Sequence, residues 1–79
     1  MKLPRDLSGE ELARHLSKCW EYERIHQSGS HIILQTEAPS HQRIAIPAHD
    51  ALRIGTLNAI LTAVATHKGV AKETILTPR

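Results

Sequence analysis

A chain of 79 residues has room for one small domain, which excludes activities that need two domains closing over a large cofactor. Apolar residues make up 41% of it, but the only aromatics are Trp20 and Tyr22, so the core has to be assembled from Leu, Ile, Val and Ala and yields on the order of 3–5 kcal/mol unless a partner adds to it. A formal charge of +2 is too small to prove a nucleic-acid partner, while six histidines offer charge or proton transfer near neutral pH.

No apolar run reaches the roughly 18–20 residues of a membrane span, and the N-terminus lacks the apolar stretch of a signal peptide. The single cysteine, Cys19, has no partner for an internal disulfide and fits a reducing compartment. The expectation is a single domain over residues 1–79, soluble and cytoplasmic, with no membrane partner.

In chain order, Ser8 followed three residues later by Glu11 has the form of a capping box and starts a helix. Leu12, Leu16, Cys19 and Trp20 then fall on one helical face ending near Cys19, and His15 beside them reads as a half-buried packing histidine. From Glu21 to Ile46 the apolar period drops to two, interrupted at Ser28-Gly29 and at Glu37–His41, which predicts three antiparallel strands. With Ser28-Gly29 as a two-residue turn, Gln27 faces Ser30, His26 faces His31, Ile25 faces Ile32 and Arg24 faces Ile33. The same alternation sets Ile32 against Ile46, Leu34 against Ile44 and His31 against Pro47, with five residues in the second turn. Thr56 is placed to cap a second helix with a core stripe of Leu57, Ile60, Leu61 and Val64, Gly69 has the composition of its C-terminal cap, and Ala71–Leu76 adds one more helical turn. The predicted class is α+β, an α-β-β-β-α order in which two helices cover one face of a three-stranded antiparallel sheet and leave the other face open.

That open face is expected to display Arg24, His26, His31, Ile33, Gln35, Arg43 and Ala45, with Ile25, Ile32, Leu34, Ile44 and Ile46 turned towards the helices. Read singly these are solvated polar residues; read together, basic groups and histidines share one surface. His26 and His31 as direct cross-strand neighbours would have β-carbons about 4.5–5.5 Å apart, close enough to act on one substrate as general base and general acid. RNA is the polymer that such a pair can cut without metal, because its own 2′-hydroxyl attacks the phosphorus once deprotonated. Arg24 and Arg43 would stabilise the added negative charge, or else simply anchor phosphate. Arg53-Ile54-Gly55-Thr56 leads into the second helix, where free amides and an arginine suit a phosphate, and Lys2 and Arg5 extend a basic rim. Ser30 points away from His31 and cannot share its proton. A zinc site from His26, His31 and His49 is the metal-dependent alternative, without the paired cysteines or HExxH spacing that would support it.

Four strings occur in order: Leu7-Ser8-Gly9-Glu10-Glu11, Gly29-Ser30-His31, Ile46-Pro47-Ala48-His49 and Gly55-Thr56-Leu57-Asn58-Ala59-Ile60-Leu61. Together, in spacing and total length, they resemble the HicA family of bacterial mRNA interferase toxins over about Lys2 to Leu76. The resemblance implies a fold like that of double-stranded RNA-binding domains, ribosome-independent cleavage of mRNA, and catalysis by the histidine of the Gly-Ser-His string, here His31; by the 2′-hydroxyl chemistry above, the cleavage is expected to need no metal or cofactor. It also implies a HicB-type antitoxin that binds the toxin and covers the active site; no DNA contact by the toxin itself is expected. RNA-binding positions on this reading are Lys2, Arg5, Arg24, Arg43, His49, Arg53 and Thr56. His26, the candidate second proton carrier, comes from the hairpin register and not from the family. Two departures stand out: Trp20-Glu21-Tyr22 replaces the Gly-aromatic pair common after the first helix, and Ile33 occupies a position often polar. The rival readings are a non-catalytic RNA-binding module of the same fold and a protein-interaction domain docking another chain on its open sheet.

Overall fold

In the computed structural model, which describes residues 7–76, helix α1 (Gly9–Cys19) begins where the Ser8/Glu11 pair dictates. The Ser8 hydroxyl oxygen accepts the Glu11 N–H, and the Glu11 carboxylate accepts the Ser8 N–H, each at 3.0 Å. Hydrogen bonding to the carboxyl from the Ser8 backbone N–H first, and then from the Ser8 side chain, holds Glu11 below its ordinary range. Strands β1 (Glu23–Ser28), β2 (His31–Thr36) and β3 (Gln42–Pro47) form an antiparallel sheet in the order β1-β2-β3, followed by helix α2 (Ile54–Lys68) and a 3₁₀ turn at Lys72–Thr74. This is the α-β-β-β-α order read from the periodicity.

The β2–β3 register agrees with expectation at every pair named, including Ile32 with Ile46, Leu34 with Ile44 and His31 with Pro47, and the five residues Glu37–His41 connect the strands. β2 alternates as a strand packed on one side must: Ile32, Leu34 and Thr36 are buried towards the helices, while His31, Ile33 and Gln35 lie on the other face.

The first hairpin is corrected. Its turn is Gly29-Ser30, so Ser28 pairs with His31, Gln27 with Ile32 and His26 with Ile33. Gly29 takes φ +58 and Ser30 no positive φ, which is how a two-residue II′ turn uses glycine at its first central position; the expected turn had put that glycine second. Sliding the pairing by two keeps His26 on the open face but moves it from opposite His31 to diagonal from it. A bulge at Ile25 then shifts the register by one, and Arg24 pairs with Leu34, on the helix side of the sheet. Arg24 is therefore not an open-face residue. Ile25, expected in the core, is the half-buried extra residue of the bulge.

A second correction concerns α2. The Leu57 N–H bonds to the Arg53 carbonyl at 2.8 Å, so helical bonding starts three residues earlier than expected, Arg53 is the N-cap and no side chain caps the end. Thr56 lies inside the first turn. The other end is as expected: Gly69 takes φ +71, and the Val70 N–H closes on the Ala65 carbonyl at 3.1 Å.

Leu12 and Leu16 of α1, Ile32, Leu34 and Ile46 of the sheet, Leu57, Leu61 and Val64 of α2, and Ile75 are completely buried and form an aliphatic core. The Ile75 carbonyl receives both the Trp20 indole N–H, at 2.8 Å, and His15 Nε2, at 2.7 Å. A carbonyl can only accept, so the proton of half-buried His15 sits on Nε2. Lys68 Nζ lies 4.9 Å from the Tyr22 ring centroid and donates to Thr36 Oγ1 at 3.0 Å and to the Ala38 carbonyl at 2.5 Å. Burial holds this ammonium's pKa below its usual range, with nearby Glu21 opposing that shift.

Glu21 is where the chain leaves α1, at φ +62, and the Tyr22 N–H reaches back to the Leu16 carbonyl at 3.3 Å. A left-handed turn that glycine would make without strain is made here by a glutamate, at a cost of roughly 1–2 kcal/mol. Glu21→Gly should therefore raise stability by about 0.5–1 kcal/mol, after allowing for the greater freedom of glycine in the unfolded chain, measured as a higher urea midpoint at unchanged slope.

Tyr22 is buried, its hydroxyl donates to Gln42 Oε1, and burial pushes its pKa up to about 12. In the unfolded chain it ionises near 10, so between these values the folded state holds the extra proton and stability falls as pH rises. As the sole tyrosine, its absorbance near 295 nm should titrate with a midpoint close to 12, and unfolding by urea should become easier above pH 10.

Candidate nucleic-acid interface

The registers arrange the open face in three rows across β1, β2 and β3. Ser28, His31 and Pro47 form the row nearest the first hairpin turn, His26, Ile33 and Ala45 the middle row, and Glu23, Gln35 and Arg43 the far row. His26 and His31 are exposed, and Ile33 between them is half-buried.

The six histidines divide sharply. His15 bonds to Ile75, His41 to the Glu37 carboxylate at 3.0 Å, and His67 to the Ser40 carbonyl at 2.8 Å. Among the described residues, no hydrogen bond or ion pair engages the side chain of His26, His31 or His49. Those three stand on the open face or on the loop directly after Pro47, at the hairpin-turn end of the sheet.

This end is held together by backbone. Ala48 N–H donates to the Ser30 carbonyl at 2.6 Å, Gly9 N–H to the His49 carbonyl at 3.0 Å, and Leu52 N–H to the Leu7 carbonyl at 2.8 Å. The first turn of α1 presses so closely on β3 that a β-carbon on Gly9 would sit 1.8 Å from the Pro47 carbonyl oxygen. Sequence reasoning gave Gly9 no role. A glycine in the first turn of a helix costs about 1 kcal/mol relative to alanine, and that cost was the available sign of a close backbone approach.

The expected cationic residues are not gathered together. Arg24 Nη2 lies 2.5 Å from Glu10 on α1, so its charge is already matched. Arg43 is on the open face, where Gln35 Oε1 receives its Nε and Nη2 at 3.2 and 2.8 Å and fixes the guanidinium in place. Gln35 in turn donates to Glu37, so Arg43 ends a polar chain running Arg43-Gln35-Glu37-His41. A shallow cleft lined by Glu21, Glu23, Gln35, Thr36, Glu37 and Ala38 makes this far end acidic. Arg43 is thus the one expected arginine of the pair Arg24 and Arg43 that stands on the face with His26 and His31. Arg53 is exposed at the start of α2, with Ile54 and Gly55 exposed behind it, and Thr56 is half-buried. Lys2 and Arg5 lie outside the described residues. His26, His31 and His49 form no group of three metal-ligating side chains with one another, nor does any other such group occur among the described residues.

A three-stranded antiparallel sheet with both helices on one face and a bare second face is the architecture of double-stranded RNA-binding-type domains, here with histidines on the bare face. The family model for the HicA toxin of bacterial toxin-antitoxin systems matches residues 9–65, and the chain belongs to that family. The match runs from the glycine that seats α1 to the last turns of α2 and includes both open-face histidines. No curated protein and no solved structure matches the chain. It is therefore a toxin-type chain, and such a system supplies an antitoxin as its partner. No helix among the described residues is long and apolar enough to cross a membrane.

Gly9→Ala should force α1 off the end of β3, lowering stability by about 2–3 kcal/mol or more and removing most of the folded population of so small a domain. Urea unfolding followed by circular dichroism measures this; Gly9→Ala as stable as the parent would contradict the close contact.

Proposed function

We propose that this chain, acting as one domain over residues 1–79, is a metal-independent endoribonuclease that cuts mRNA in the cytoplasm, with His31 as general acid or base and a HicB-type antitoxin as its inhibitor. The observation that carries the reading is the placement of His31: exposed, on the face opposite both helices, at a backbone-braced corner, with its imidazole unengaged among the described residues.

The chemistry asks little of the protein. A base removes the 2′-hydroxyl proton, the 2′-oxygen attacks the adjacent phosphorus, and an acid protonates the departing 5′-oxygen. One well-placed imidazole supplies about 10²–10⁴ in rate, the scale of a growth-inhibiting nuclease and not of an efficient digestive one. Arg43, oriented by Gln35, is the phosphate holder the open face supports best, and Arg53 with the start of α2 extends the path beyond His49. Arg24, neutralised by Glu10 on the other side of the sheet, is a weaker candidate than the sequence suggested. The half-buried Ile33 and the exposed Ala45 offer an apolar floor for a base or for an antitoxin side chain, and an antitoxin seated there would exclude RNA. The toxin has no DNA contact of its own in this reading.

Purified protein incubated with RNA in excess EDTA should cleave it, and His31→Ala should lose at least about 10²-fold in rate while remaining folded, since the residue is exposed. RNA binding without cleavage by the parent protein would instead mark a non-catalytic RNA-binding module. Cleavage lost in EDTA and restored by zinc would mark a metal enzyme.

A further inference from the structure

We propose that His26 joins His31 as the second proton carrier of one cleavage site, the two imidazoles flanking a single phosphodiester above Ile33; this rests on the endoribonuclease reading above. The hairpin register pairs Ser28 with His31 and His26 with Ile33, so the two histidines occupy neighbouring rows of the same face. Directly opposed β-carbons lie about 4.5–5.5 Å apart, which brings the two rings close together and leaves less space between them. Diagonal neighbours lie roughly 7–8 Å apart, a span that a tetrahedral phosphate can fill while both rings reach its oxygens. The bulge at Ile25 falls immediately before His26, and bulges re-aim side chains beside active sites. Finally, both imidazoles are exposed and lack hydrogen-bond partners among the described residues, unlike His15, His41 and His67, which the fold uses.

The proton balance closes with these two groups. One neutral imidazole takes the 2′-hydroxyl proton as the 2′-oxygen bonds to phosphorus. The other, an imidazolium, gives its proton to the 5′-oxygen as the P–O5′ bond breaks, leaving a 2′,3′-cyclic phosphate and a free 5′-hydroxyl. The pair ends with its protonation reversed and is restored by exchange with water. Other charged or titratable groups facing this pair are Glu23 of β1 and Arg43 of β3, one row away, and His49 on the loop after β3; both helices lie on the opposite face.

The test is single-turnover cleavage of RNA in excess EDTA across roughly pH 5–8, with RNA affinity measured in parallel. The parent protein should give a bell-shaped profile. His26→Ala and His26→Gln should bind RNA as before, lose about 10²-fold in rate and lose one limb of the bell. Whichever histidine is the acid, its variant should regain speed on a substrate carrying sulphur in place of the 5′-bridging oxygen, because a thiolate departs without a proton. The pairing is overturned if both His26 variants keep the parent rate and both limbs while His31→Ala is inactive, or if His49→Ala removes the limb instead. A parent protein that fails to cleave, or a His31→Ala variant as active as the parent, defeats the endoribonuclease reading itself and the pairing with it.

Discussion

Everything at the functional end of this molecule depends on how closely α1 approaches the end of β3. The absence of a side chain on Gly9 lets the first turn of the helix rest on the Pro47 carbonyl, and the Gly9 N–H then holds the His49 carbonyl. Ala48 ties the same segment to Ser30 in the hairpin turn, and Leu52 ties it to Leu7. A helix start, a hairpin turn and the loop into α2 are thereby joined by main chain alone, which is stiffer than side-chain packing. In an aliphatic core with only Trp20 and Tyr22 at its margins, this seat gives His31 and His49 a defined base.

Strand alternation separates stability from surface chemistry. Along β2, Ile32, Leu34 and Thr36 serve the core, and His31, Ile33 and Gln35 serve the open face. Changes on the outer face therefore leave the core packing intact, so surface chemistry can vary while the fold stays the same. The open face also changes character along the strands, from unengaged imidazoles near the hairpin turn to a far row in which Arg43 stands across Gln35 from Glu23, with Glu37 close by. A family whose toxin is paired with an antitoxin suits so small a core, because the partner can cover the bare face and add burial that the chain alone does not have.

The element order, the capping box at Ser8, the Gly69 exit from α2 and the whole β2–β3 register were legible because each rests on a local pattern with one outcome: a reciprocal cap, a left-handed glycine, an apolar period of two. The first hairpin was not, because Ser28-Gly29 and Gly29-Ser30 are both acceptable two-residue turns and only the position of positive φ decides between them. The bulge at Ile25 has no composition signal, and it alone sends Arg24 to the helix side, where Glu10 holds it. The start of α2 was misplaced because Thr56 has the chemistry of a cap while Arg53 has merely the backbone conformation of one. On the open face, the exposed placement of His31 and His26 was legible from strand parity. Their diagonal spacing depended on the turn, and the role of Gly9 on a contact between segments far apart in sequence.

The central claim is that an imidazole on the bare face drives attack by the RNA's own 2′-hydroxyl. The most direct measurement compares one sequence as RNA and as 2′-O-methyl RNA, incubated with the protein in excess EDTA, with product ends identified. The account predicts cleavage of the unmodified strand alone, leaving 2′,3′-cyclic phosphate ends. Cleavage of the methylated strand at a similar rate, or cleavage that appears only when metal is returned, would contradict it.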